Sequence, residues 1–171
     1  ELNKTEITQP AILTASVAAW RALMAAAGGD QPKACAGHSL GEYTALVAAE
    51  AISFADAVRL VRLRGQAMQE AVPAGTGAMM AVLGLDDDAV VGGCADVSKE
   101  GDAVWSANFN TPGQVVISGS KDAVARAGEY FAEKGARRCV ALPVSVPSHC
   151  PMMQPAADKL AAALADIELC D

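Results

Sequence analysis

Apolar positions follow two different periods along the chain, and the change between them divides it. From Gln9 to Ala27, Ile12, Leu13, Val17, Trp20, Leu23 and Met24 recur at helical spacing, and Gly28-Gly29 supplies a C-terminal stop. This predicts a helix with one buried face. After the Asp30-Gln31-Pro32 turn, Lys33 to Gly37 is short and apolar enough for a core strand, and Leu40 to Ala51 reads as a second helix. Ser53 with Asp56 three positions later resembles a capping box, opening a third helix that runs to about Val72 and is closed by Pro73 and Gly75.

From Gly77 onward short strand-like runs alternate with amphipathic stretches. Gly77–Gly84, Ala103–Asn108, Gln114–Gly119 and Arg137–Val144 read as strands, and Asp86–Lys99 and Lys121–Gly135 as helices. Asn110-Thr111-Pro112-Gly113 is a turn sequence between the middle strands. The order is β-α-β-β-α-β, the split βαβ arrangement of a ferredoxin-like unit. Prolines punctuate the exit at Pro143, Pro147, Pro151 and Pro155, and Ala156–Ile167 is helical again. The expected fold class is therefore α/β, with a ferredoxin-like subdomain over residues 75–146 inserted into a layer formed by residues 1–74 and 147–171.

Composition narrows the function classes. With 52% hydrophobic and 19% charged residues, the chain has ample material to close a core, which excludes global disorder. Its net charge of −7 argues against a nucleic-acid partner, which needs clustered Lys and Arg. Five widely spaced cysteines without a CxxC pair and only two histidines suggest neither a disulfide framework nor a metal site. Apolar runs are broken well short of the roughly 20 residues that a bilayer span needs. The expectation is a soluble, cytoplasmic protein with reduced thiols and no membrane association.

Gly37-His38-Ser39-Leu40-Gly41 fits the nucleophile-elbow pattern and falls between an expected strand and an expected helix. A serine on such a turn exposes its hydroxyl, and the Leu40 amide at the helix N-terminus can donate to a developing oxyanion. The plainer reading makes Ser39 a helix cap. A serine needs a base, and the chain offers two imidazoles. His38 adjoins Ser39 and points away from the same reaction volume, which leaves it a supporting or packing role. His149, in the Pro147-Ser148-His149-Cys150-Pro151 loop, is the candidate base, against the alternative of an ordinary surface-loop histidine. No acid can be assigned as a third member. On a helical wheel Arg64 falls in the middle of the apolar face formed by Leu60, Leu63, Ala67, Met68 and Ala71, opposite Arg59, Arg62, Gln66 and Glu70. An inward guanidinium requires acceptors, an internal Asp or Glu or a carboxylate on a substrate, unless its stem snorkels past the core.

Taken together, AGHSLGEYTALV, DAVRLVRLRGQAMQEAVPAGTGAM, NFNTPGQVVISG and LPVSVPSHCPMMQPAADKLA resemble the malonyl-CoA:acyl carrier protein transacylases of fatty-acid synthesis. The resemblance implies an α/β-hydrolase-like core, incomplete here, carrying the ferredoxin-like insert. It implies Ser39 as the acylated serine, His149 as its base, Arg64 as the clamp for the malonyl carboxylate and Leu40 N–H as one oxyanion donor, with Gln9, Asn108 and Asn110 near the pocket. Malonyl-CoA is then the substrate, acyl carrier protein the partner that brings phosphopantetheine, and no resident cofactor or metal is needed. Lys121, Arg126, Lys134, Arg137 and Arg138 are candidates for carrier docking. Members of the family begin with a strand and a GQGSQ loop and continue beyond the residue aligned with Asp171, so the resemblance also implies an interior piece, with association through the surface left open. A serine esterase or thioesterase shares the elbow and base. A catalytically impaired binding domain is the non-enzymatic alternative.

Overall fold

Residues 4–28, 32–144 and 146–170 are described by the computed structural model. In chain order they form α1 (Thr5–Ala26), α2 (Gly41–Ala48), α3 (Phe54–Ala71), β1 (Gly77–Leu83), α4 (Asp87–Val97), β2 (Val104–Thr111), β3 (Gln114–Ser120), α5 (Lys121–Glu133), β4 (Arg138–Ala141) and, after a 3₁₀ turn at Pro151–Met153, α6 (Gln154–Ala165). They divide into two compact units, Glu1–Ala67 with Ala157–Asp171, and Met68–Ala156.

The first unit is helical. Leu13 and Val17 from α1, Tyr43 from α2, Ile52 before α3, and Ala57, Leu60 and Val61 from α3 form its core, with Leu160, Ala163 and Leu164 of α6 against them. On α1 the buried stripe is Gln9, Leu13 and Val17, at intervals of four residues, which a period of 3.6 keeps on one face. Ile12 and Leu23, expected on that face, are 50% and 58% exposed, because one residue of offset rotates a side chain by roughly 100°. The helix also begins at Thr5 rather than Gln9, with Pro10 inside it and unable to donate to the Glu6 carbonyl. Ser53 caps α3 as its spacing with Asp56 suggests: the Asp56 amide donates to Ser53 Oγ at 3.1 Å, and that hydroxyl donates to Asp56 Oδ2 at 2.6 Å.

Lys33 to Gly37 does not form the expected strand. Residues 34–37 run without β pairing, and Ala34, Cys35 and Ala36 are exposed. Apolar composition made the segment strand-like, but a strand is completed by a neighbour, and among the described residues none pairs with it.

The second unit holds one antiparallel sheet in the order β2-β3-β1-β4. Period-two alternation sorts its side chains. Val82, Val104, Val115 and Ile117 join Val90 and Cys94 of α4 and Ala123, Val124, Ala127 and Phe131 of α5 in one cluster. Met79, Ala81 and Val116, with Leu83, Ala107 and Leu142, form a separate cluster. Burying a side chain such as Phe131, 1% exposed, contributes roughly 1.5–3 kcal/mol. The hairpin between β2 and β3 is tighter than its sequence suggests. Thr111 pairs with Gln114, so only Pro112 and Gly113 turn, and Gly113 takes φ +76° where a side chain would be strained. Ser120 caps α5 by accepting from the Ala123 amide at 3.3 Å. Its hydroxyl also contacts Asp102 Oδ1, and Asp102 Oδ2 takes Arg126 Nη1 at 2.6 Å. β4 is shorter than the expected Arg137–Val144 run, since pairing with β1 ends at Ala141.

Candidate active site

Steric crowding around the Gly-x-Ser-x-Gly turn shapes it. A Cβ on Gly37 would lie 2.0 Å from the carbonyl carbon and oxygen of Gly41 and 2.3 Å from Glu42 N, so only glycine fits where the incoming segment crosses the start of α2. Gly41, by contrast, has open space where its Cβ would be. Between them Ser39 adopts φ +54°, a left-handed conformation that costs a non-glycine residue about 1–2 kcal/mol. The turn is closed by the Gly41 amide donating to His38 O at 2.8 Å and the Glu42 amide to Ser39 O at 3.2 Å. Leu40 is the N-terminal cap of α2, and among the described residues its amide has no backbone acceptor. His38 is exposed.

Arg64 reaches this turn from α3. Its Nη2 donates to Ser39 Oγ at 3.1 Å and its Nη1 to Gln9 Oε1 at 2.6 Å. The guanidinium also lies 6.0 Å from the Tyr43 ring centroid. Among the described residues no carboxylate forms a salt bridge with it. Burial pulls the Arg64 pKa down from its ordinary value, against the opposing pull of Tyr43 and Glu42. Burial likewise pushes the Tyr43 phenol up, opposed by Arg64. The cation is thus oriented by a neutral amide, which fixes its position without cancelling its charge.

The first unit therefore joins Ser39, Arg64 and Gln9, residues up to 55 positions apart, in one chain of hydrogen bonds. His149, Asn108 and Asn110 belong to the second unit. His149 is exposed and also takes a left-handed backbone, φ +60°. The loop bearing it is pinned on both sides. Pro147 is fully buried, filling the space over Gly77, where a Cβ would come within 2.4 Å of the proline ring. The Cys150 thiol donates to Pro147 O at 3.2 Å. Asn108 lies at an irregularity of β2, opposite Val116, and Asn110 is exposed near the end of that strand. Of the basic residues considered for docking, Arg126 is committed to Asp102 and half-buried, and Lys134 Nζ stands 5.2 Å over the Tyr130 ring. Lys121, Arg137 and Arg138 are exposed.

Sequence reasoning did not single out Thr5 or Gly65. Thr5 Oγ1 accepts from Gln9 Nε2 at 3.3 Å, and a Cβ on Gly65 would lie 2.6 Å from Glu6 Cα. The available signals were a polar residue four positions before Gln9 and a glycine inside an otherwise strong helical pattern. Among the described residues no group of three or more His, Cys, Asp or Glu side chains is placed to hold a metal ion, and no helix is long and apolar enough to cross a membrane. All five cysteines are free.

A strained serine on a glycine-bounded turn, touched by a half-buried cation, is the kind of site that acyl-transferring enzymes build. The chain belongs to that class: residues 1–170 match the family model for the acyl transferase domain. Among curated relatives it is 61% identical over 167 residues to the malonyl CoA-acyl carrier protein transacylase of Salmonella typhimurium, covering 98% of this chain and 53% of that protein. Among solved structures it resembles an acyl carrier protein S-malonyltransferase from Vibrio cholerae, with TM-score 0.92 and 59% identity over 98% of this chain and 54% of that one. It also resembles a malonyl-transacylase solved in complex with a type II polyketide acyl-carrier protein, with TM-score 0.95 and 56% identity over 99% of this chain and 54% of the other. The chain spans about half the length of the relatives it matches.

Proposed function

We propose that this chain carries the acyl-serine site of a malonyl-CoA:acyl carrier protein transacylase. The observation that carries the reading is Arg64: a half-buried guanidinium held by Gln9, in contact with Ser39 Oγ and lacking a carboxylate partner among the described residues, suits an acyl group ending in a carboxylate.

In the first half-reaction His149 accepts the Ser39 hydroxyl proton as Oγ bonds to the thioester carbonyl carbon of malonyl-CoA. The Leu40 amide stabilises the oxyanion, the carbon–sulfur bond breaks, and the proton passes from His149 to the departing CoA thiolate. In the second, the phosphopantetheine thiol of acyl carrier protein gives its proton to His149 and attacks the acyl-serine, and the proton returns to Ser39 as its ester bond breaks. Arg64 holds the malonyl carboxylate throughout. An acetyl group would leave the half-buried guanidinium without a matching carboxylate and is disfavoured. His38, Asn108 and Asn110 are assigned to the pocket surroundings.

In architectural terms the proposal treats residues 1–74 and 147–171 as part of an α/β-hydrolase-like core and residues 75–146 as a ferredoxin-like subdomain. The order β1-α4-β2-β3-α5-β4 and the all-antiparallel sheet support the latter. Exposed Lys121, Arg137 and Arg138 are proposed to meet the acidic carrier. The protein is placed in the cytoplasm, consistent with its free cysteines. Incubating the chain with malonyl-CoA and locating the adduct by mass spectrometry tests the core of the reading: a malonyl group on Ser39, absent from Ser39→Ala, is expected. Label on another residue, or undiminished labelling of the variant, would refute it.

A further inference from the structure

Discrimination by Arg64 requires its guanidinium to stay where a substrate carboxylate can meet it, and its anchor on α1 is the neutral amide of Gln9. We propose that Thr5 and Gly65 are the positioning residues that fix this anchor, and through it the preference for acyl groups that end in a carboxylate. The proposal rests on the assignment of Arg64 to the substrate.

Thr5, Gln9, Leu13 and Val17 are spaced four apart on α1, and Gln9 is 5% exposed, so its amide lies inside the unit. An amide can be inserted in two orientations. In one, Oε1 accepts from Arg64; in the other, NH₂ faces NH₂, and both donors lose a partner. Arg64, which can only donate, selects the orientation with Oε1 at Nη1, 2.6 Å away, and Thr5 Oγ1 holds the amide in it by accepting from Nε2 at 3.3 Å.

Distance is set by Gly65, which follows Arg64 on α3. A Cβ there would stand 2.6 Å from Glu6 Cα, 2.7 Å from Thr5 O and 2.9 Å from Glu6 N. All three atoms are backbone, so no rotamer change can relieve the contact. Any side chain at this position drives the first turn of α1 away from α3, carrying Gln9 with it. Glycine is unfavourable inside a helix, and this close approach supplies the physical reason for one in the middle of α3. Thr5 and Gly65 thus control one contact from two sides, its orientation and its length.

The test uses Thr5→Val, Thr5→Ser and Gly65→Ala in the full chain. Ser39 acylation rates with malonyl-CoA and with acetyl-CoA are read by intact-mass spectrometry, alongside thermal unfolding. Thr5→Val, which keeps the side-chain shape, is expected to lower the malonyl-to-acetyl rate ratio about fivefold, the equivalent of one neutral hydrogen bond. Thr5→Ser should restore the ratio. Gly65→Ala should lower it further while also lowering the unfolding temperature. A ratio unchanged in Thr5→Val, or two rates that fall by the same factor, would show a merely structural residue and overturn the proposal. If the unsubstituted chain gives no malonyl adduct on Ser39, the transacylase reading fails and takes this proposal with it. Selective acylation retained in Thr5→Val removes only the positioning role.

Discussion

The two glycines of the Gly-x-Ser-x-Gly turn are equivalent in the motif but not in the molecule, and substituting each separately tests the account of the elbow. A methyl group on Gly37 would overlap Gly41 C and O at 2.0 Å and Glu42 N at 2.3 Å. Ordinary van der Waals contact begins near 3.4 Å, so backbone must move by more than an ångström, and no flexible side chain is available to yield. Overpacking against rigid surroundings costs typically 1–3 kcal/mol and occasionally more, and a backbone clash of this depth belongs at the upper end, about 3–5 kcal/mol. For a chain of this size each kcal/mol moves the unfolding midpoint by about 2–4 °C, so Gly37→Ala should lower it by roughly 6–20 °C. Gly41→Ala meets nothing within 4 Å and replaces a helical glycine, which should raise stability by about 0.5–1 kcal/mol. Thermal unfolding by circular dichroism measures both, and labelling by a small fluorophosphonate reports whether Ser39 remains presented. Labelling should be lost in Gly37→Ala and kept in Gly41→Ala. A Gly37→Ala midpoint within a few degrees of the unsubstituted chain, or an equal fall in Gly41→Ala, would show that the crossing does not form as described.

Arg64→Ala removes the cation and leaves Gln9 Oε1 without its 2.6 Å donor. On the proposed reading, in which Arg64 clamps the malonyl carboxylate, loss of two charge-assisted hydrogen bonds, about 1.5–3 kcal/mol each, should lower malonyl acylation of Ser39 by about 10²–10⁴-fold. Acetyl acylation should change far less, and an equal loss for both acyl groups would argue that Arg64 only supports the turn. In the second unit, the Ser120 hydroxyl first, and then the Arg126 guanidinium, hold the Asp102 carboxyl below its usual range. Because the folded-state pKa is depressed, the stability this group contributes is fully present above the ordinary value of 3.8 and is lost as pH falls through the lower folded value. Urea midpoints measured between about pH 6 and pH 2 should therefore fall more steeply for the unsubstituted chain than for Asp102→Asn, and parallel curves would contradict the assignment.

Sequence alone determined what depends on neighbours along the chain. The order of elements from Gly77 onward followed from period-two and helical spacing, which local side-chain direction enforces. The Ser53–Asp56 cap could be read directly because both partners lie within one helical turn. Glycines flanking Ser39 marked a tight turn, and a wheel placed Arg64 on the inner side of α3. Tertiary structure decided everything that required a partner distant in sequence. The apolar run before the elbow finds no strand partner among the described residues, and hydrogen-bonded neighbours, not composition, complete a strand. Ile12 and Leu23 face outward because the stripe through Leu13 and Val17 was claimed by the core. Above all, nothing local shows that Arg64 would find Gln9, 55 residues away, or that Gly65 is glycine because another helix's backbone occupies the space a side chain would need. Periodicity fixes which way a side chain points from its own element, while the identity of what it meets is set only when separate elements close on one another.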